Sequence, residues 1–522
     1  MKTMLKKIHK HSERGQAIIL VALSIVGLVA IVGLMVDGGI ALIEYARLKR
    51  SVDAASIAAA SQFRKDFEGA DMERAGREFL MFNQSDADVD IYTCSCPPDD
   101  SNCQANGWHL DEDLCAPAGQ PQRKLVRVTA TKTVNFGFMR ILGPQFASTT
   151  LGAFATGEAA SVDMVLAIDT SSSMAYETTG GAGNDPASGG SPGDDPKACN
   201  ASMNDPAHRC EPMGTIKDVA VDFVEELFFP YDRVAVVAFT GQEVDGSREP
   251  TRVLPFDDNQ DCDVNGLNCV ATTAVEDAIR SLRVVEPFVC PLDGSTPPGT
   301  CLYFDPDYRG AICWPNYLGT RDASGDLITD AGGNVIKNPT SCGGSNIGGA
   351  LYMAGDEFVD ARQESFWAVI ALIGGPANAA VPEGAASPNE SFCPQATWKL
   401  PGGNGYCRDE DYPIATRHYR NADGTFPTAY DADDYARDGA DHITSPTTGQ
   451  GATLYSICLG TQCSGNSNTN DPASAEHLGQ YMALESGGVN ANHGLYFQTN
   501  DPADLAKVFL AIADNINTRI SQ

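Results

Sequence analysis

The chain has 522 residues and a formal net charge of −32, because it contains 68 acidic side chains and only 36 basic ones. An acidic surface repels phosphates, so the composition argues against a nucleic acid as partner. The charge is typical of an exposed, self-repelling domain, and diffuse attraction for Ca²⁺ is the alternative.

The chain begins with a basic segment followed by a long apolar run. Residues 17–36 are 20 residues without a charge, enough for one transmembrane helix. The preceding residues carry five basic side chains and Glu13. The positive-inside rule therefore places residues 1–16 in the cytoplasm and the rest outside a bacterial cytoplasmic membrane. A cleaved signal peptide is the alternative, although the run is long for one and no A-x-A site follows.

Small residues recur along the next stretch, 37–60, which we predict to be a helix. Such a stripe lets another helix approach closely, and an ordinary Ala-rich helix is the alternative. R-G-Q-A-I before the span, a D-G-G turn after it and V-D-A-A-S-I-A-A-A resemble the TadG-like N-terminal domain. That family belongs to the tight-adherence (Flp-type) pilus assembly machinery. The resemblance implies a pilin-like α+β stalk over residues 37–160. Within it we expect a helix at 71–83 and strands at 88–93, 124–134 and 146–157, since these alternate and are rich in β-branched residues.

A second region begins with the apolar run 164–168, which predicts a buried parallel strand ending at Asp169. Ser171 and Ser173 follow, in the loop where open α/β sheets collect ligands. One carboxylate and two hydroxyls offer only oxygen atoms, which suits Mg²⁺ or another hard divalent cation. D-x-S-x-S after a strand resembles the metal-ion-dependent adhesion site of von Willebrand factor type A domains.

Further segments fit that family. Residues 214–227 have a helical apolar period, 232–239 read as a second strand, and G-G-S-N-I-G-G-A-L opens another helix. The resemblance makes Ser345 of that segment a metal ligand. Residues 367–375 and 451–460 give two more strands, and a closing strand and helix follow in which Asn500 or Asp501 caps the helix. The expectation is an α/β fold, a doubly wound, mostly parallel sheet spanning residues 161–522.

One position departs from the family. The strand at 367–375 normally ends L-T-D-G, but Gly374 stands at the acidic position here. The predicted metal ligands, Asp169, Ser171, Ser173 and Ser345, thus carry one negative charge. Either an acidic side chain from a partner or from an insertion completes a weak site, or the site is empty and structural.

Sixteen cysteines all follow the apolar run, which predicts disulfides on an exported region. Zinc is the alternative, but no C-x₂-C pair occurs. Several lie in near pairs: Cys199 and Cys210, Cys262 and Cys269, Cys393 and Cys407, Cys458 and Cys463. They accompany three insertions near 176–212, 285–342 and 376–449, which lack a helical or strand period and should form a rim or lid over the metal position.

No nucleophile elbow, zinc-protease helix or phosphate-binding loop is present in the sequence, so an enzyme is not expected. The resemblances imply a membrane-anchored protein of pilus assembly or surface adhesion. It would bind a protein partner, a pilus or cell-surface component, through the von Willebrand type A domain. A structural cell-envelope protein with a vestigial metal site is the alternative function.

Overall fold

The computed structural model divides the chain into two compact units, residues 1–159 and 160–522. The described residues are 2–63, 69–84, 86–94, 109–115, 123–171, 174, 196–204, 209–229, 231–240, 250–256, 271–285, 345–359, 361–375, 377, 380, 417–421, 423, 427, 430, 432–460, 463 and 475–520. Of residues 2–16 only the helical backbone is described.

The first unit packs two helices on a small sheet. Its helices are α1 (Lys2–Ala60) and α2 (Gly69–Asn83). Its strands are β1 (Asp88–Thr93), β2 (His109–Leu110), β3 (Lys124–Asn135) and β4 (Ser148–Ala159), in the order β2-β1-β3-β4. β3 pairs antiparallel with both β1 and β4. Two short 3₁₀ helices, Met139–Leu142 and Pro144–Phe146, join β3 to β4.

Helix α1 continues without a break through Gly38 and Gly39, so the predicted D-G-G turn is wrong. Apolar residues before and small helix formers after these two glycines favour one helix, and two glycines cost it only about 1 kcal/mol each. The predicted close approach along 37–60 is confirmed. A Cβ built on Gly76 of α2 would lie 3.4 Å from Ala59 Cβ and 3.6 Å from Ala55 O.

The second unit is built on a six-stranded sheet. Its strands are β5 (Val162–Asp169), β6 (Arg233–Phe239), β7 (Thr251–Leu254), β8 (Phe366–Ile373), β9 (Thr453–Leu459) and β10 (His493–Thr499). The order is β10-β9-β8-β5-β6-β7. All neighbours are parallel except β6 and β7. A mostly parallel sheet is therefore confirmed.

Helices cover both faces of this sheet. They are α3 (Pro196–Ala201), α4 (Met213–Glu225), α5 (Ala271–Ser281), α6 (Ile347–Asp356), α7 (Ala432–Thr444), α8 (Ala475–Leu484) and α9 (Leu505–Ile520). One core joins Leu166, Ile168 and Leu372 of the sheet to α4, α5 and α9. The other joins Val165 and Ala167 to α6, α7 and α8. Alternating strand residues thus face opposite helix layers, as a strand period of two requires.

Two sequence-based expectations about this unit need correction. The insertion predicted near 376–449 was expected to have no helical period, yet its end is α7. Ala436, Ala440 and Ile443 recur at helical spacing and are fully buried against the sheet. The sequence conceals this helix because its apolar face is built largely from alanine, while its other positions carry many aspartates. Helix α3 likewise lies within the insertion predicted near 176–212 to have no helical period. Strand β7 and helices α5 and α8 were not predicted either.

The amino ends of β5 and β6 are fixed by buried charges. Asp163 is fully buried and accepts hydrogen bonds from Arg233 Nε at 3.0 Å and Nη2 at 2.8 Å, and it also pairs with Arg362. Burial raises the pKa of Asp163, but the two guanidinium groups outweigh burial and leave that pKa below its ordinary value. This cluster lies at the edge of the sheet opposite the carboxyl end of β5.

Three disulfides are present in the described parts of the chain: Cys94–Cys115, Cys199–Cys210 and Cys458–Cys463. Two of them are predicted near pairs, and among the described cysteines none is free. The other two near pairs, Cys262 with Cys269 and Cys393 with Cys407, lie outside the described residues.

Candidate functional site

Asp169 is the last residue of β5, the central strand from which the order of strands in the sheet runs first to one side and then to the other. In order along the chain, the strands of this unit are added to one side of β5 and then, from β8 onward, to the other. A crevice opens outside the carboxyl ends of two strands at such a reversal, and ligands of open α/β sheets bind there. Asp169 pairs in register with Phe239 of β6, and Ile168 pairs with Leu372 of β8.

The carboxylate of Asp169 is completely buried and accepts hydrogen bonds from three segments. Oδ1 accepts the Ser171 N–H at 2.8 Å. Oδ2 accepts the Ser345 hydroxyl at 2.7 Å and the Gly374 N–H at 3.1 Å. Burial raises the pKa of Asp169 above its ordinary value, and these donors only partly offset the effect. A positive charge beside the carboxylate would therefore stabilise its ionised form.

Ser345 reaches Asp169 because the chain around it is fixed on both sides. It forms an isolated parallel bridge with Ala377, just after β8. The next residue, Asn346, is fully buried and caps α6 by accepting the Gly349 N–H at 3.2 Å. The G-G-S-N-I segment thus ends in a helix cap that directs the preceding serine toward β5.

The structure brings three of the four predicted metal ligands together. Asp169, Ser171 and Ser345 lie at one point, with Ser171 3% and Ser345 5% exposed. Ser173 lies outside the described residues.

Gly374 has a role that sequence reasoning missed. It was noted only for the carboxylate that it lacks, whereas its backbone N–H donates to Asp169. A glycine at the carboxyl end of a parallel strand adjacent to β5 was the available signal, because such a backbone amide points toward the ligand edge. The described segment therefore supplies a donor to Asp169 where the family resemblance implies an acceptor.

The described ends of the three insertions meet beside this site. Asn200, between Cys199 and Cys210, donates to Val284 O at 2.7 Å and accepts the Val284 N–H at 3.1 Å. The next residue, Val285, donates its N–H to the carbonyl of Thr170 at 2.8 Å. The bridge between Ser345 and Ala377 joins the end of the second insertion to the start of the third. The predicted rim or lid itself falls mostly on residues outside the described ranges.

The oxygen atoms of this cluster are of the kind that a hard cation prefers, but together they carry only one formal negative charge. A hydroxyl that donates its proton to Asp169, as Ser345 does, keeps lone pairs for a metal ion. The described part of the chain contains no group of three or more His, Cys, Asp or Glu side chains placed to hold a metal. The cluster is therefore an oxygen site with a single formal charge, which predicts weak affinity for a dication.

Comparison with known proteins gives likenesses to solved structures. No family model matches the chain, and no curated protein matches it. Among solved structures, the pilus adhesin SpaC from Lactobacillus rhamnosus GG is 12% identical with a TM-score of 0.33, covering 83% of this chain and 34% of its own. The PilB minor pilin from Streptococcus sanguinis is 10% identical with a TM-score of 0.31, covering 83% and 79%.

A further likeness is to the proximal thread matrix protein 1 of the mussel byssus. It is 10% identical with a TM-score of 0.29, covering 68% of this chain and 48% of that one. The chain spans about half the length of the byssus protein and about a third of the adhesin. Likenesses at this identity and TM-score do not determine function.

Proposed function

We propose that the chain is a single-pass membrane protein whose exported part carries a von Willebrand type A domain that binds a protein partner. By resemblance, its role is in assembly of a tight-adherence (Flp-type) pilus or in surface adhesion. The mostly parallel sheet with helices on both faces supports the fold part of this proposal.

The observation that carries the proposal is the hydrogen bond between Ser345 and Asp169. These residues are 176 positions apart and were matched to the family's metal site separately, yet their side chains meet at 2.7 Å. They meet at the reversal point of the sheet, where the fold forms a ligand crevice. Chance matches to two short motifs would have no reason to converge there.

Asp169, Ser171 and Ser345, with Ser173, would hold the cation. A bound Mg²⁺ or Mn²⁺ would supply positive charge able to bridge to an acidic side chain of a partner. The protein's own part is to hold the carboxylate dry and fixed through the Ser171 and Gly374 N–H groups. Because Gly374 brings no charge, we expect a partner carboxylate to strengthen cation binding.

The membrane anchor is supported by α1. Its apolar part is long enough to cross a membrane, and the 44-residue stretch Ala17–Ala60 contains a window of mean hydropathy 3.0 that is 6% buried. A cleaved signal sequence would pass the same test. The helix nevertheless continues from the apolar run into the core of the first unit, where Leu48, Val52 and Ala55 are fully buried. Cleavage after residue 36 would therefore cut inside a continuous helix.

A structural envelope protein with a vestigial site is the second candidate. It is favoured by the saturation of the Asp169 carboxylate, which already accepts hydrogen bonds from three groups of the chain. In that case the cluster would serve only to tie the ends of β5, α6 and β8 together.

Calorimetric titration of the full chain in detergent with Mn²⁺ tests the cation site. Asp169→Asn keeps the size of the side chain and removes its charge, so we expect it to abolish measurable binding. Asp504→Ala removes an exposed carboxylate that pairs with Lys507 and serves as the control. Equal Mn²⁺ affinity in the two variants would contradict the proposed site.

Experiments in cells that make the protein distinguish the two candidate functions. If the chain acts in pilus assembly or adhesion, its deletion should remove surface pili or attachment, and Asp169→Asn should do the same without lowering the amount of protein. Normal pili and attachment with a weakened envelope would favour the structural candidate.

A further inference from the structure

The connection between β3 and β4 exposes large apolar side chains at its tip. Over residues 136–147, the exposed fractions are 79% for Ile141, 66% for Leu142, 44% for Phe138 and 42% for Phe146. Exposed large apolar side chains clustered within one short segment of a folded protein mark a surface that something else covers. We call residues 136–147 the apolar tip.

The apolar tip is attached to α1 immediately after the uncharged run. Asp37 is fully buried, and its Oδ1 accepts the Gly137 N–H at 2.9 Å. Its Oδ2 accepts the N–H groups of Phe138 at 2.9 Å and Met139 at 2.6 Å. Burial raises the pKa of Asp37, but the three donors outweigh burial and hold that pKa below its ordinary value. The carboxylate thus fixes the start of the tip beside the helix.

The tip also reaches alongside the apolar run itself. A Cβ built on Gly33 would lie 2.8 Å from Phe138 Cγ, so the Phe138 ring rests directly on the helix backbone. Gly33 lies four residues before Asp37, about 6 Å further along the axis toward the N-terminus. Helix side chains on either side of Gly33 are exposed, with Val32 at 48% and Leu34 at 60%. Whatever covers these residues of α1 must also meet the apolar tip.

Polar contacts begin within about two turns after the uncharged run ends. Lys132 Nζ pairs with Glu44 Oε2 at 2.8 Å, seven residues and about 10 Å beyond Asp37 along the helix. It also pairs with Asp86 at 3.1 Å. Along α1, the uncharged run ends at position 36 and is followed by a buried carboxylate and then by an ion pair, although Leu42 (69% exposed) and Ile43 (55% exposed) continue the apolar surface on another part of the helix. A carboxylate and an ion pair just after an uncharged run are expected at the border between lipid and water.

We propose that the apolar tip is a membrane-inserted wedge, which enters the outer leaflet of the same bilayer that α1 spans. This inference rests on the membrane anchor in the proposed function and goes beyond it by giving the first unit a second lipid contact. The bilayer is the occupant because the tip packs on a residue inside the apolar run. Phe138, Ile141 and Leu142 would enter the boundary between headgroups and acyl chains, where such side chains bind favourably. Exposed Arg140 would extend toward the headgroups.

Two lipid contacts on one rigid unit have a mechanical consequence. A unit attached by a single helix is free to tilt about the point where the helix leaves the membrane. A wedge beside that point, fixed to the helix by three hydrogen bonds to Asp37, restricts the tilt. The first unit would then be held in one orientation on the membrane surface.

The test uses the full chain reconstituted into phosphatidylcholine vesicles, with or without lipids brominated near the headgroup end of their acyl chains. Ile141→Trp places a fluorescent side chain at the position of the most exposed large apolar side chain of the tip. Phe154→Trp is the matched control, because Phe154 lies in β4 and is 67% exposed. It stands seven residues, about 24 Å, from the end of the tip at Ala147. The unsubstituted chain gives the signal of its four native tryptophans.

We expect brominated lipid to quench the added fluorescence of Ile141→Trp by about half or more and that of Phe154→Trp hardly at all, since bromine quenches only on close contact. Iodide in the water should give the reverse order. If the protein floats with the vesicles but the tryptophan at position 141 is quenched by iodide and not by bromine, the anchor stands and the wedge is wrong. If neither quencher reaches it, a second copy or another protein covers the tip, and the wedge is again wrong. If the protein does not float with the vesicles, the anchor itself is wrong, and the inference falls with it.

Discussion

At the residue scale, Asp169 and Gly374 define the candidate site between them. Asp169 supplies the only carboxylate among the described residues of the cluster, and Gly374 supplies an N–H donor in place of a second one. The sequence shows which residue stands at each position. It does not show that the glycine's backbone takes part, because that depends on how the end of β8 lies against β5.

Introducing an acid at position 374 tests this balance of charge. Gly374→Asp places a second carboxylate beside Asp169, and a second charge should raise Mn²⁺ affinity roughly tenfold or more. Without a cation the two like charges repel in a buried place, which should lower the free energy of unfolding by about 1–3 kcal/mol in the presence of a chelator. Calorimetry and thermal unfolding with and without Mn²⁺ measure the two effects.

Gly374→Asn is the matched control, since it adds a side chain of the same size without the charge. It should share any steric cost of the substitution but gain no affinity. If the aspartate and asparagine variants bind Mn²⁺ equally, added charge is not what the site lacks, and the view of a charge-deficient cation site is contradicted.

At the element scale, the contact between α1 and β4 depends on one glycine. A Cβ on Gly157 would lie 2.3 Å from Ser56 O and 2.6 Å from Ser56 C, which are backbone atoms that cannot move aside. The helix can therefore approach the strand closely only because position 157 has no side chain. The small residues of α1, including Ala55 and Ala59, allow the same close approach on the side of α2.

Gly157→Ala should consequently loosen this contact and destabilise the first unit by about 1–3 kcal/mol, as overpacking does. Gly152→Ala, in the same strand, is the control: its Cβ would meet only Thr131 Cγ2, at 4.0 Å. There we expect no loss, or a gain of up to about 1 kcal/mol from a less flexible unfolded chain. Amide hydrogen exchange in β3 and β4 provides the measurement. Equal protection in both variants would show that the helix does not rest on Gly157.

At the scale of the whole molecule, the sixteen cysteines follow the apolar run, so they lie on one side of the proposed membrane span. Under the proposed topology, an oxidising compartment outside the cytoplasm would explain both their number and their disulfides. Two of the described disulfides, Cys199–Cys210 and Cys458–Cys463, close short loops next to the carboxyl edge of the large sheet. The insertion near 176–212 is thus fastened at its described end by Cys199–Cys210.

Alkylation followed by mass analysis under non-reducing conditions should find close to no free thiols in the purified full chain. After reduction all sixteen cysteines should react, and this sample serves as the control. Recovery of most cysteines as free thiols from a non-reduced sample would contradict an exported, disulfide-bonded region.

The sequence alone determined the elements with strong periods and which oxygen-bearing side chains stand at the predicted site. Apolar strands at 164–168 and 232–239, the helix around Ile216 and Phe223, and the cap at Asp501 are all present in the structure. These features are local, because each depends on a pattern of neighbouring residues that fixes which face is buried.

Tertiary structure alone decided what depends on distant segments. It placed Ser345 on Asp169 and made the Gly374 N–H a donor to the same carboxylate. It showed that the end of a predicted loop is helix α7, whose alanine-rich face becomes part of the core because the sheet covers it. It also set the apolar tip beside Gly33, about 100 residues away in the chain. Such contacts are properties of packing, and no pattern within a single segment contains them.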